Sequence, residues 1–153
     1  MIRSLLLGAL AGQRSLTPLA VVSDAARRGA LPEDNGALPL LGHPLVSAGT
    51  AALAAAELWG DKLKSAPDRI VKRGLAVRIV TGAVAGMAMA PRDQRVIAAA
   101  VGAGAAMAAS YFGWSARMAA LRRYGQTETG LAEDALVVGG ALAAVHAGSP
   151  RAA

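Results

Sequence analysis

Six charged side chains sit within or at the edges of otherwise apolar stretches: Arg14, Glu57, Asp61, Arg78, Glu133 and Asp134. A charge taken out of water is costly unless an opposite charge, trapped water or a ligand meets it, so such positions mark either function or internal pairing. Arg14 stands in the polar run Gln13-Arg14-Ser15-Leu16-Thr17-Pro18 and could anchor an anion. Glu57 and Asp61 are four residues apart and share one helix face, where they repel unless a cation, a proton or a basic residue lies between them. Arg78 is the expected partner for that pair. Glu133 and Asp134 open a late apolar segment, and carboxylates are favoured at a helix N-terminus by the helix dipole.

Two chemistries follow from these residues. In one, Arg14 is an anion anchor and the acidic pairs handle a cation or a proton; in the other, all six are helix caps and ion pairs. Pro18 sharpens the first. It removes an N–H and its ring clashes with the carbonyl four residues back, at Arg14, if a helix continues through it. A helix break near Arg14 to Pro18, involving Gln13, Ser15 and Thr17, is therefore expected. It would expose backbone polar groups that only protein or a water-filled cavity can receive. The alternative is a kinked helix whose arginine snorkels or pairs.

Other chemistry is sparse. His43 precedes a proline and His146 is far from it in sequence, so the histidines lack metal-ligand spacing, and no metal or cofactor is expected. Ser4, Ser15, Ser47 and Ser110 stand beside no recognisable base, nucleophile elbow or phosphate-cradling loop, and the chain is not read as an enzyme. With no cysteine, disulfide and thiol chemistry are excluded.

The elements that must position the charges are long and apolar. The 153 residues are 54% hydrophobic, 17% charged and only 3% aromatic, with 18 glycines and a mean hydropathy of +0.41. Several segments are apolar on all sides, which suits a membrane better than the core of a soluble domain. Five candidate spans emerge: residues 2–22, 35–56, 75–91, 96–116 and 131–147. The second and fourth contain no charge. The expectation is an all-α polytopic bundle in the bilayer, one integral membrane domain over residues 1–148 with a short polar tail at 149–153. The Arg3 to Gly12 stretch also has the outline of a signal sequence, but Arg14 and the poor cleavage site favour retention. Trp59, Tyr111 and Trp114 fall toward span ends, as interfacial aromatics do.

The net charge of +6 does not point to nucleic acid, because the basic residues are confined to the connections. If the first segment crosses outward, nine lysines and arginines fall on the starting side against five opposite, which predicts a cytoplasmic N-terminus and an outside C-terminus.

Gly8-Ala9-Leu10-Ala11-Gly12 is echoed by Gly82-Ala83-Val84-Ala85-Gly86, each followed by a proline. The echo is either an internal repeat of helical hairpins or a coincidence of abundant alanine and glycine. Either way, Gly8, Gly12, Gly82 and Gly86 form small-xxx-small motifs that let helix backbones approach closely. Such surfaces also predict a homo-oligomer.

The ordered set Gly12 to Ala20, Glu57-Leu58-Trp59-Gly60-Asp61-Lys62-Leu63 with Pro67, Arg78 to Ala83, and Glu133 to Gly140 resembles the bacterial membrane family catalogued as domain of unknown function 4126. The likeness covers nearly the whole chain. It implies a small multi-pass protein of the bacterial inner membrane and carries over Arg14, Glu57, Asp61, Lys62, Glu133 and Asp134 as polar family positions, without a reaction. The resulting expectation is a polar pathway or pocket for an ion, small solute or lipid head group. Its rival is a structural or assembly subunit of a membrane complex.

Overall fold

The computed structural model describes residues 1–60, 72–124 and 126–147. Among these residues the chain is all-helical: α1 (Ile2–Gln13), α2 (Leu16–Arg27), α3 (Pro44–Gly60), α4 (Lys72–Ala88), α5 (Arg95–Tyr124) and α6 (Gln126–His146), with single 3-10 turns at Pro39–Gly42 and Arg92–Gln94. Asp61, Lys62 and the 149–153 tail lie outside the described residues.

The break expected near Pro18 falls just ahead of it. Arg14 is extended at φ −136° and ψ 108°, ending α1 after 12 residues. Ser15 then opens α2, so Pro18 lies in the first turn, where a missing N–H leaves no intrahelical bond unmade. The first expected segment, residues 2–22, is therefore two helices of about 18 Å each.

The second of these helices doubles back. Near the end of α2, Ser23 Oγ donates to the Leu41 carbonyl at 2.7 Å, just ahead of α3. The far end of α3 meets the start of α2 through Glu57. The loop after α2 closes on the end of α4, with Gly36 N–H donating to the Ala90 carbonyl at 2.7 Å. That end of α4 is also where α1 begins, for Gly86 faces the Ser4 carbonyl. So α1 and α2 form a hairpin whose tip is Arg14–Ser15. Gly29, at φ +67°, stops α2 in a left-handed cap, with Ala30 N–H reaching the Ala25 carbonyl at 2.8 Å. Beside that cap, the hydrogen bond from Arg27, reinforced by the charge of Arg28, holds the Asp24 carboxyl below its usual range.

This hairpin corrects the expected placement of the chain ends. Helix α6 runs antiparallel to α1, and Arg3 Nη2 donates to the Ala147 carbonyl at 2.8 Å. Met1 and Ala147 thus belong to the same end of the bundle, where one crossing by residues 2–22 would have separated them.

The charge-free stretch at 35–56 is corrected as well. Pro39, Gly42 and Pro44 hold its first part in a 3-10 turn, and α3 starts only at Pro44, a residue well suited to the first position of a helix. Of the described helices, the Arg92–Ala120 stretch is the one long and apolar enough to cross a membrane, at a mean hydropathy of 1.6.

Glycines set the packing of α1, α4 and α5. Gly8 and Gly82 lie directly against the backbone of Gly102, and Gly86 is close enough that an added Cβ would sit 3.1 Å from the Gly102 Cα. Gly12 continues the seam, its hypothetical Cβ 2.5 Å from the Ala106 carbonyl oxygen. The two echoing motifs thus converge on one glycine of α5. A methyl group on Gly8 would meet backbone that cannot rotate away, whereas Gly104 has open space. Gly8→Ala is expected to lower stability by about 2 kcal/mol or more, while Gly104→Ala leaves it unchanged or raised by up to about 1 kcal/mol; denaturant unfolding of both variants checks the contrast.

Candidate functional site

The hairpin tip presents two helix ends of opposite polarity. The last turn of α1 carries partial negative charge on its unsatisfied carbonyls, and the first turn of α2 carries partial positive charge on its free N–H groups. The sequence supplies a cation at the first and a carboxylate at the second.

Glu57, from α3, caps α2. One carboxylate oxygen accepts from the Ser15 N–H at 2.8 Å and the Ser15 hydroxyl at 2.7 Å; the other accepts from the Leu16 N–H at 2.8 Å. Both oxygens are thereby engaged with the start of α2. The expected pairing of Glu57 with Arg78 is replaced by this cap, because two free amides at a helix N-terminus offer a carboxylate better-aligned donors than a flexible side chain. Arg78 itself is buried in α4, and Thr81 Oγ1 donates to its carbonyl at 3.2 Å.

Arg14 is 1% exposed. Its Nε and Nη2 reach the same Asp134 oxygen at 2.8 and 2.7 Å, and Nη2 lies 3.8 Å from Glu133. The anion that Arg14 meets is thus the chain's own. Arg117 of α5 completes the cluster, with Nη1 2.6 Å from the same Glu133 oxygen. Two guanidinium groups and two carboxylates, from the hairpin tip, α5 and α6, balance in charge.

Sequence reasoning did not single out Arg117, which entered it only as one of the nine lysines and arginines counted on the starting side. The signal for its role was stoichiometric: Glu133 and Asp134 adjoin, and one buried arginine cannot neutralise both. The adjacent contacts tie the tip to α5. Gln13 Nε2 donates to the Ala109 carbonyl at 2.8 Å, and Gly113 has no side chain to obstruct that amide. Ser110 Oγ donates to the Ala106 carbonyl of its own helix at 2.7 Å and lies 3.2 Å from the Gly12 carbonyl, so its one proton is shared with a group that the end of α1 leaves without a helical partner.

Beside this cluster, α5 and α6 diverge to leave a cleft of about 660 Å³. Ala116, Ala120, Ala132, Leu136 and Val137 form its apolar walls, and Gln13, Arg117 and Glu133 bring the polar cluster to its surface. Among the described residues, no group of three or more histidines and carboxylates is placed to hold a metal ion. The structure thus brings Arg14, Glu133 and Asp134 together and sets Glu57 at the start of α2, while Asp61 lies outside the described residues.

Breaking the buried pair should cost far more than removing it. Arg14→Met alone leaves Asp134 uncompensated and is expected to destabilise by about 3–5 kcal/mol, whereas combining it with Asp134→Leu recovers most of the loss. Glu57→Ala is expected to cost about 1–2 kcal/mol through the lost cap. A double-mutant cycle read by denaturant unfolding checks both statements.

No curated protein and no solved structure matches this chain. A family model described as Domain of unknown function (DUF4126) matches residues 1–150, in agreement with the resemblance carried by the Arg14, Glu57 and Glu133 motifs. With nearly its whole length matched, the chain belongs to the DUF4126 family.

Proposed function

We propose that this protein is a multi-pass protein of the bacterial inner membrane, with α3 to α6 crossing the bilayer around the re-entrant α1–α2 hairpin. The distribution of residues supports the membrane part. Polar groups such as Ser4, Arg14, Ser23 and Arg78 are buried, while Leu45, Trp59, Val96 and Phe112 are each about three-quarters exposed. That arrangement, with small residues at the helix contacts, fits lipid better than water as the surrounding solvent.

The function that this geometry supports best is a pocket for a small solute or lipid-like molecule, in a transporter or channel-like protein. The cleft at the charged hairpin tip carries the reading, since its volume lies within the range of small-molecule sites and its apolar walls end on a few fixed polar groups. A non-transporting structural or assembly subunit of a membrane complex is the second reading, favoured by the internal neutralisation of Arg14 and Arg117. Homo-oligomerisation through the remaining small-residue surfaces is compatible with both.

Native mass spectrometry of protein extracted directly from its membrane separates them. The pocket reading expects a bound small molecule that Leu136→Trp, which fills the cleft, displaces without changing the oligomer. A ligand-free protein whose Arg14→Gln variant falls apart into smaller assemblies supports the subunit reading instead.

On this reading the hairpin brings both described ends, Met1 and Ala147, to one side of the membrane. Along the sequence, eight lysines and arginines lie in or beside the α3–α4 and α5–α6 connections (Lys62, Lys64, Arg69, Lys72, Arg73, Arg117, Arg122 and Arg123), against six beside the other connections and the sequence ends (Arg3, Arg27, Arg28, Arg92, Arg95 and Arg151). This balance favours an outside N-terminus. Compartment reporters fused to Met1 and to the C-terminus are expected to report the same side of the membrane; opposite sides would overturn the re-entrant reading.

A further inference from the structure

We infer that the α5–α6 cleft binds an amphipathic cation, with an apolar body between the helices and an ammonium group at Glu128; this rests on the pocket reading above. The charge arrangement carries the inference. At the floor, Arg14 is engaged by Asp134 and Arg117 by Glu133, so those four groups contribute no net charge. Among the described residues of the lining, Glu128 is the remaining charged one; it is exposed and forms no ion pair with them. At the end of apolar walls, an exposed carboxylate favours a cationic group over an anionic one beside it.

An anionic head group would meet that carboxylate and would have to compete with Glu133 for Arg117. A neutral amphiphile gains the apolar contacts but no ionic one. An alkylammonium gains both, and a quaternary one carries its charge without a titratable proton.

The test uses the full chain in lipid nanodiscs, titrated with octyltrimethylammonium, octyl phosphate and octyl glucoside, with empty nanodiscs correcting for partitioning. The expected result is saturable binding of the ammonium, weakened about fivefold by Glu128→Gln, as for a modest ion pair. Leu136→Trp, verified as folded by its thermal transition, is expected to abolish it. If octyl phosphate binds as tightly, or if Glu128→Gln leaves ammonium binding unchanged, the cation assignment is overturned and the pocket stands. If none of the three probes saturates, the pocket reading fails as well.

Discussion

The architecture depends on how the chain stops a helix at Arg14 and starts another at Ser15 inside the bundle. Such a break strands carbonyls on one side and N–H groups on the other, and burial makes each expensive. Here the solution comes from other helices. Ser110 meets the Gly12 carbonyl, Glu57 meets the Ser15 and Leu16 amides, and Arg14 meets Asp134. Because α3, α5 and α6 each contribute, the tip ties together elements that share few other contacts near it. Removing one partner leaves a buried polar group unsatisfied, which is why the energetics of the tip are asymmetric.

The glycine seam answers a different requirement. Gly8, Gly82 and Gly86 bring α1 and α4 against Gly102 so closely that backbone meets backbone. Dispersion contacts and weak Cα–H···O bonds then replace the side-chain interdigitation of a soluble core. The seam holds α1 firmly along α5, and that in turn fixes where Gln13 and Arg14 emerge. Thus the small residues determine the position of the charged ones.

Much of this was legible in the sequence, and the failures have physical causes. The Gln13 to Pro18 run announced the break, and the two glycine motifs announced close packing. Direction was not legible: hydropathy and Pro18 are equally compatible with a kink and a hairpin, since neither reports where the chain goes next. Glu57 was read with Asp61 because local spacing reveals neighbours on one helix, whereas its partners lie 41 and 42 residues away. The stretch 35–56 looked like one span because it carries no charge, yet Pro39 and Pro44 constrain the backbone regardless of hydropathy. The family-level resemblance was confirmed over residues 1–150, and it named the polar positions without revealing which ones touch.

The pairing of Arg14 with Asp134 spans 120 residues, and this has a bearing on biogenesis. A ribosome releases the arginine 120 residues before its carboxylate partner Asp134. On the membrane reading proposed above, the hairpin cannot be neutralised at its tip until α6 has emerged, so its final insertion follows that helix. Early translation products would hold α1 and α2 at the lipid surface, and a chain shortened before Glu133 would lack the counter-charge that draws them inward.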